Sequence, residues 1–277
     1  MSTVEINYYH VMAAGDKDIN FDEKFERLKN AVYNTPKGII RKTLVSEDIA
    51  EYFPELFSGK RLSILDAGCG TGEISRWISS SSLDIVRIDI SGRMIDEAKR
   101  RDIEEGIEDN ITHCCESVQA HAKGHPGCYD IIICHGMLAW LADPEQGFAS
   151  LARLLKPGGR MSLLYYNRNR NILRNGLLAN FYCLKTGDYK PRQKGGGLTP
   201  INPLDETQIL GWAGQHNLRL EFKSGIRIFY GLANNHNEFE GKEEVLLRTE
   251  RMFYRREPFA SIGVHTHMIF NKSTEEP

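Results

Sequence analysis

Between Leu62 and Tyr166 the chain alternates short apolar runs with amphipathic stretches. The runs predict strands at 62–66, 84–89, 111–115, 129–134 and 160–166, and the stretches predict helices at 72–80, 91–105 and 145–155. Such alternation implies βαβ units, hence a mostly parallel sheet with helices on both faces. Pro157-Gly158-Gly159 stops the last of these helices and turns the chain into the fifth strand. Upstream, residues 1–20 are polar and patternless. Phe21, Phe25, Leu28 and Val32 then recur at spacings of four, three and four, one stripe of an amphipathic helix. Asn34-Thr35-Pro36 breaks it, and a second helix is predicted from Gly38 to Tyr52. Downstream, Asn171 to Tyr182 reads as a helix, and Gly195-Gly196-Gly197 with Pro200 and Pro203 as a surface loop. Helical patterns return near 205–215 and 238–255, with strands at 218–229 and 264–271.

Composition narrows the class without naming it. At 277 residues, 41% hydrophobic and 26% charged, the chain suits one large globular domain or two small ones. No stretch approaches the ~20 apolar residues that span a bilayer. Met1-Ser2-Thr3-Val4-Glu5 does not open a signal peptide, so a cytoplasmic location is expected. The six cysteines form no Cys-x-x-Cys pair, and they read as buried reduced thiols, with no metal site expected. The net charge of −2 argues against general nucleic-acid binding, but the charge is uneven. Arg168, Arg170, Arg174, Lys185, Lys190, Arg192 and Lys194 face the single acid Asp188, a segment suited either to solvent or to phosphates.

The chemistry begins at Asp66-Ala67-Gly68-Cys69-Gly70-Thr71-Gly72. A strand that empties into alternating glycines lets backbone pass close to a ligand. A dinucleotide fold would favour Gly-x-Gly-x-x-Gly; here the spacing is Gly-x-Gly-x-Gly, with Asp66 before it and Asp89 ending the next strand. Asp89 suits a ribose diol. A carboxylate facing a pyrophosphate is repulsive, so a ribose-bearing ligand without phosphates fits better.

The stretch resembles the first motif of class I S-adenosylmethionine-dependent methyltransferases. Asp89-Ile90-Ser91, Asp130 to His135 and Leu154 to Gly159 continue the resemblance in order over roughly 62–166. It implies a Rossmann-like sheet, mostly parallel with an antiparallel edge strand, carrying an N-terminal helical lead and a basic insertion after strand five. It also implies S-adenosylmethionine as cofactor. Gly68, Cys69 and Gly70 would meet its methionine half, Asp66 its ammonium, Asp89 its ribose, and Glu116 and Ser117 its adenine. His135 would face the ligand from the end of the fourth strand.

Segments outside that core are more distinctive. Lys37 to Arg41, His135 to Trp140, Leu164 to Asn167, Gly225 to Phe229 and Arg256 to Phe259 followed by His265 resemble the tRNA 5-carboxymethoxyuridine methyltransferase family, from about Phe21 to Asn271. Departures are Cys69, where a smaller residue is expected, and a short third strand. The resemblance implies one domain over 1–277: a helical lid (1–60), the cofactor core (61–166), the basic insertion (167–203) and the rest of the sheet (204–277). It implies methylation of the carboxylate of a wobble uridine in a tRNA anticodon stem-loop. An ionised carboxylate needs no general base, so positioning is the expected contribution. Arg41 would touch the cofactor. Tyr165, Tyr166 and Arg227 would position the acceptor, with at most one of the adjacent tyrosines reaching it, because neighbouring strand residues face opposite ways. Arg168, Arg170, Arg174, Lys190, Arg192 and Lys194 would meet RNA. Two alternatives are a methyltransferase for small carboxylic acids and a non-catalytic cofactor-binding tRNA module.

Overall fold

A computed structural model describes residues 17–28, 35–187, 198, 200–233 and 235–274. Seven strands form one sheet: β1 (Leu62–Ala67), β2 (Leu83–Asp89), β3 (Ile111–Cys115), β4 (Tyr129–His135), β5 (Leu155–Tyr166), β6 (Leu218–Ile226) and β7 (His265–Lys272). Their order is β3-β2-β1-β4-β5-β7-β6. The first five pair in parallel. The antiparallel strand is β7, which lies between β5 and the outermost β6.

Eleven α-helices lie among the described residues. They are α1 (Phe25–Leu28), α2 (Pro36–Tyr52), α3 (Glu73–Ile78), α4 (Gly92–Glu105), α5 (Val118–Gly124), α6 (Pro144–Leu154), α7 (Arg168–Leu177), α8 (Phe181–Thr186), α9 (Glu206–Gln215), α10 (Phe229–Leu232) and α11 (Glu243–Phe253). Residues facing opposite sides of each strand join separate cores. Leu65, Ile132, Met161, Leu163 and Tyr165 pack with α5, α6 and α9. Ile64, Ile131, Ile133 and Leu164 pack with α2 and α11. The period of two along a strand produces this division.

Several expectations shift. The predicted lead helix is a 3₁₀ turn at Asp22–Lys24 followed by α1; its remainder through Asn34 lies outside the described residues. Pro36 opens α2 rather than only breaking its predecessor. It occupies the first turn, where no N–H bond is lost, and the Thr35 hydroxyl accepts from Gly38 N at 3.3 Å. The helix predicted over Asn171 to Tyr182 is two helices, because Ala179 turns left-handed at φ 52°. The short α5 was not anticipated. Its strongest local signal is Ser117, whose hydroxyl caps it by accepting from Ala120 N at 3.2 Å. The thiols are also less uniform than expected: Cys134 and Cys183 are buried, while Cys115 and Cys128 are exposed.

Candidate active site

The carboxyl ends of β1, β2 and β4 open into a cavity of about 560 Å³, closed from the other side by α2, α7 and the segments around Arg227 and Val264. Ligands of open α/β sheets sit at this position, where strand order reverses. Here the reversal falls between β1 and β4.

The glycine loop forms one wall. Gly68, Gly70 and Gly72 all have positive φ, between 55° and 73°. A Cβ on Gly68 would lie 2.6 Å from the Met137 Cβ. Gly72 has a different role: a Cβ there would meet the Arg87 guanidinium at 2.7 Å. Arg87 is wholly buried and ion-pairs with Asp102, and its Nε donates to the Ser75 hydroxyl at 2.8 Å. That hydroxyl in turn donates to Asp66 at 2.5 Å. Burial still pushes the Asp66 carboxyl up to about 6, with the Ser75 bond opposing. Asp89 accepts from Gly70 N at 3.0 Å and Ser91 N at 2.9 Å, tying the loop to β2; burial raises its pKa. Glu116, Ser117 and Cys69 also line the cavity. Glu116 bonds His121 at 2.9 Å, and Ser117 is committed to its helix cap.

The opposite end is cationic. Lys37 and Arg41 share one face of α2, one turn apart, and meet Arg170 of α7 and Arg227 after β6. Arg227 has φ 63°, an uncommon conformation for a side-chain-bearing residue. The buried Glu250 carboxylate holds the backbone there by accepting from Ile228 N at 2.8 Å and Tyr230 N at 3.1 Å. Burial, with Arg41 beside it, lowers Arg227 to about 10. Lys37 is lowered by burial and by the two neighbouring guanidiniums. Among the described residues, Lys37, Arg170 and Arg227 make no ion pair, and Arg170 Nε, Arg227 Nε and His265 Nδ1 are buried without hydrogen-bond partners. His265 packs edge-on against Tyr166, ring centroids 5.6 Å apart. His135 sits between the two ends, its Nε2 2.8 Å from the Ser162 hydroxyl.

The cavity therefore gathers Arg41, Asp66, Gly68, Cys69, Gly70, Asp89, Glu116, Ser117, His135, Tyr166 and Arg227 from the predicted set. Tyr165 is corrected. It is 1% exposed and belongs to the core on the opposite face with Met161 and Leu163, as strand alternation requires. Arg170 is also reassigned, from an outer RNA-facing surface to the cavity wall, its Nη2 donating to Gly231 O at 2.6 Å. Arg168 is occupied by Asp205 at 2.9 Å and by Pro203 O at 3.1 Å, so it pins the insertion to α9 rather than standing free. Arg174 is half-buried on α7. Lys190, Arg192 and Lys194 lie outside the described residues. Sequence reasoning missed His265 and Lys37 as cavity residues, although both fall in segments it had marked.

The donor and acceptor set fits S-adenosylmethionine: carboxylates beside a close-approach glycine loop at one end, open space, and unpartnered cationic donors at the other. No group of three or more His, Cys, Asp or Glu among the described residues is placed to hold a metal, and no helix among them is long and apolar enough to cross a membrane.

Comparison with known proteins agrees with this geometry. Residues 65–163 match the family described as "Methyltransferase domain". Magnesium protoporphyrin IX methyltransferase from Synechocystis, solved with bound SAH, superposes at a TM-score of 0.61 with 16% identity, over 91% of this chain and 96% of that one, a likeness of fold. A ubiquinone biosynthesis O-methyltransferase from Pectobacterium carotovorum is 32% identical, but over only 44% of this chain and 50% of its own length. The tRNA 5-carboxymethoxyuridine methyltransferase of Escherichia coli O157:H7 is 30% identical over 92% of this chain and 97% of its own. That similarity extends over nearly the whole of both chains, and the chain belongs to the tRNA 5-carboxymethoxyuridine methyltransferase family of S-adenosylmethionine-dependent class I enzymes.

Proposed function

We propose that the protein methylates the side-chain carboxylate of 5-carboxymethoxyuridine at the tRNA wobble position, giving the methyl ester. The observation that carries this reading is the cluster of unpartnered buried donors, Arg170 Nε and Arg227 Nε, beside His265 and Tyr166 at the end of the cavity away from the glycine loop. Guanidinium groups without an anion, in a low-dielectric wall, are matched by a carboxylate. A neutral hydroxyl acceptor would leave that charge uncompensated and would require a base to remove its proton.

S-adenosylmethionine supplies an electrophilic methyl group when bound. Asp89 would accept from the ribose hydroxyls, Asp66 would face the ammonium, and Gly68 and Gly70 would let the backbone close on the methionine portion. Glu116 and Ser117 border the adenine. Arg41 reaches the cofactor from α2. Arg227 and Arg170 would hold the acceptor carboxylate. Alignment of this kind supplies roughly 7–11 kcal/mol of barrier lowering in favourable cases. Tyr166, braced by His265, offers its ring to the uracil. Arg174, with Lys190, Arg192 and Lys194 of the insertion, meets the phosphates of the anticodon stem-loop.

Mass analysis of wobble nucleosides tests the reading. Incubating the protein with cofactor and tRNA carrying the carboxymethoxy group is expected to add one methyl group to that nucleoside. Transfer to free carboxylic acids with none to tRNA would replace it by the small-acid reading.

A further inference from the structure

A buried hydrogen-bond chain crosses the molecule from α2 to the cavity. Asp48, wholly buried in α2, accepts from His267 Nδ1 at 2.9 Å. His267 Nε2 lies 2.8 Å from the Ser162 hydroxyl, which lies 2.8 Å from His135 Nε2. His135 lines the cavity, and its Nδ1 has no hydrogen-bond partner among the described residues. The four side chains come from α2, β7, β5 and β4.

Elementary donor and acceptor rules fix the direction of this chain. A carboxylate only accepts, so His267 carries its proton on Nδ1. The Asp48 charge is already met by Arg255, whose Nε and Nη2 donate to Oδ1 at 3.1 and 2.8 Å. Ser224 adds a bond to Oδ2 at 2.6 Å, and the Tyr254 hydroxyl also donates to the carboxylate. No second cation is needed there, so His267 Nε2 is a bare acceptor. Ser162 must then donate to His267 and accept from His135 Nε2. Burial, with the Arg41 charge beside it, holds His135 well below the ordinary histidine range, so it is neutral and its one proton is on Nε2.

From this we infer that Asp48, His267 and Ser162 are positioning residues that lock His135 as the tautomer presenting a bare Nδ1 to the cavity, where it accepts from the ammonium of the cofactor's methionine portion. The chain sets the polarity of a ligand contact from within the core that α2 covers, along one face of the sheet. It rests on the cavity being the cofactor site, and it makes His135 an acceptor in a cavity whose other end is built of donors.

Asp48→Asn tests it, because the two carboxylate oxygens have separate partners. Arg255 donates to Oδ1, while His267 and Ser224 face Oδ2. The asparagine oxygen must take the Arg255 side, leaving its NH₂ to donate to His267 Nδ1. His267 then carries its proton on Nε2, Ser162 reverses, and His135 presents Nδ1–H to the cavity. Nitrogen-15 NMR of the histidine rings, assigned with His135→Gln, is expected to report Nε2–H for His135 in the wild type and Nδ1–H in D48N. Affinity for S-adenosylhomocysteine is expected to fall about tenfold or more, while 5′-methylthioadenosine, which lacks the ammonium, binds both proteins equally. Identical His135 tautomers, or equal losses for both nucleosides, would overturn the relay. Ser162→Ala interrupts the chain without touching Asp48, and a His135 that keeps its single tautomer in that variant would overturn it too. The ring signals are read without ligand. A wild type that binds neither nucleoside would overturn the cofactor reading, and with it the ammonium partner, leaving the tautomer exchange to decide the relay itself.

Discussion

The two ends of the cavity are built on different principles. The glycine-loop end comes from β1 and β2, consecutive strands joined by a short helix, and its carboxylates Asp66 and Asp89 are each held by hydrogen bonds from the protein itself. The cationic end comes from α2, α7, the turn after β6 and the start of β7. Its charges repel one another, and Arg170 and Arg227 keep unpartnered nitrogens. The first end is largely complete without ligand. The second leaves buried guanidinium nitrogens without a partner among the described residues. On the proposed reading the first end takes the methyl donor and the second the acceptor.

The comparison breaks most visibly at Arg227. Arg227→Met is expected to lower methyl transfer to tRNA about a hundredfold or more, as loss of one partner of a buried charge pair does. Affinity for S-adenosylhomocysteine, measured by calorimetry, stays unchanged; an equal fall in that affinity would merge the two ends into one site.

Asp66 sharpens the comparison next, through pH. Its carboxyl ionises near 3.8 in the unfolded chain and at about 6 in the folded protein, so folding favours the acid form. That contribution is complete below 3.8 and is lost as pH rises through 6. The shift corresponds to about 3 kcal/mol at 1.36 kcal/mol per unit. Asp66→Asn is therefore expected to raise the melting temperature of ligand-free protein at pH 8 and to have little effect at pH 4. A variant equally shifted at both values would show that Asp66 is not the strained group.

The mirror of the Arg227 experiment is Asp89→Ala. Affinity for S-adenosylhomocysteine is expected to fall about tenfold to a hundredfold, with transfer at saturating cofactor reduced much less. A loss confined to turnover would place Asp89 with the acceptor instead.

The smallest effect separates adjacent tyrosines. Tyr165→Phe costs about 1 kcal/mol of stability, by deleting the phenol bond to Thr266, and leaves transfer unchanged. Tyr166→Ala lowers transfer by the ~1–3 kcal/mol of a base stack. Reversed outcomes in transfer assays would exchange the two faces of β5.

The glycine-loop end was legible in the sequence because every contributor lies within 30 residues and follows local rules of strand, turn and cap. Even there, the spacing gave Gly72 no role of its own, and only the structure shows that the space beside it is filled by Arg87. The cationic end was legible only in pieces. Arg41 and Arg227 were marked separately, and nothing in periodicity brings residues 186 apart to one wall. Arg170 looked like part of a charge run, and only the cap formed by Asn167, which accepts from Asn169 N at 2.9 Å, starts α7 at the cavity. The Asp48–His267 contact was invisible for the same reason: its residues are 219 positions apart and share no motif.

The place of β7 has a further consequence. Residues 265–272 fill the gap between β5 and β6, and they carry both His265 of the cavity and His267 of the buried chain. The five parallel strands precede β6 and β7 in the chain and carry the glycine-loop half of the cavity. The cationic half takes its first wall residues from α2, but His265 reaches it only with β7, last of the seven strands. A wall of the cavity and a link of the buried chain thus rest on one strand, so the two cannot be disturbed independently by changes that dislodge β7.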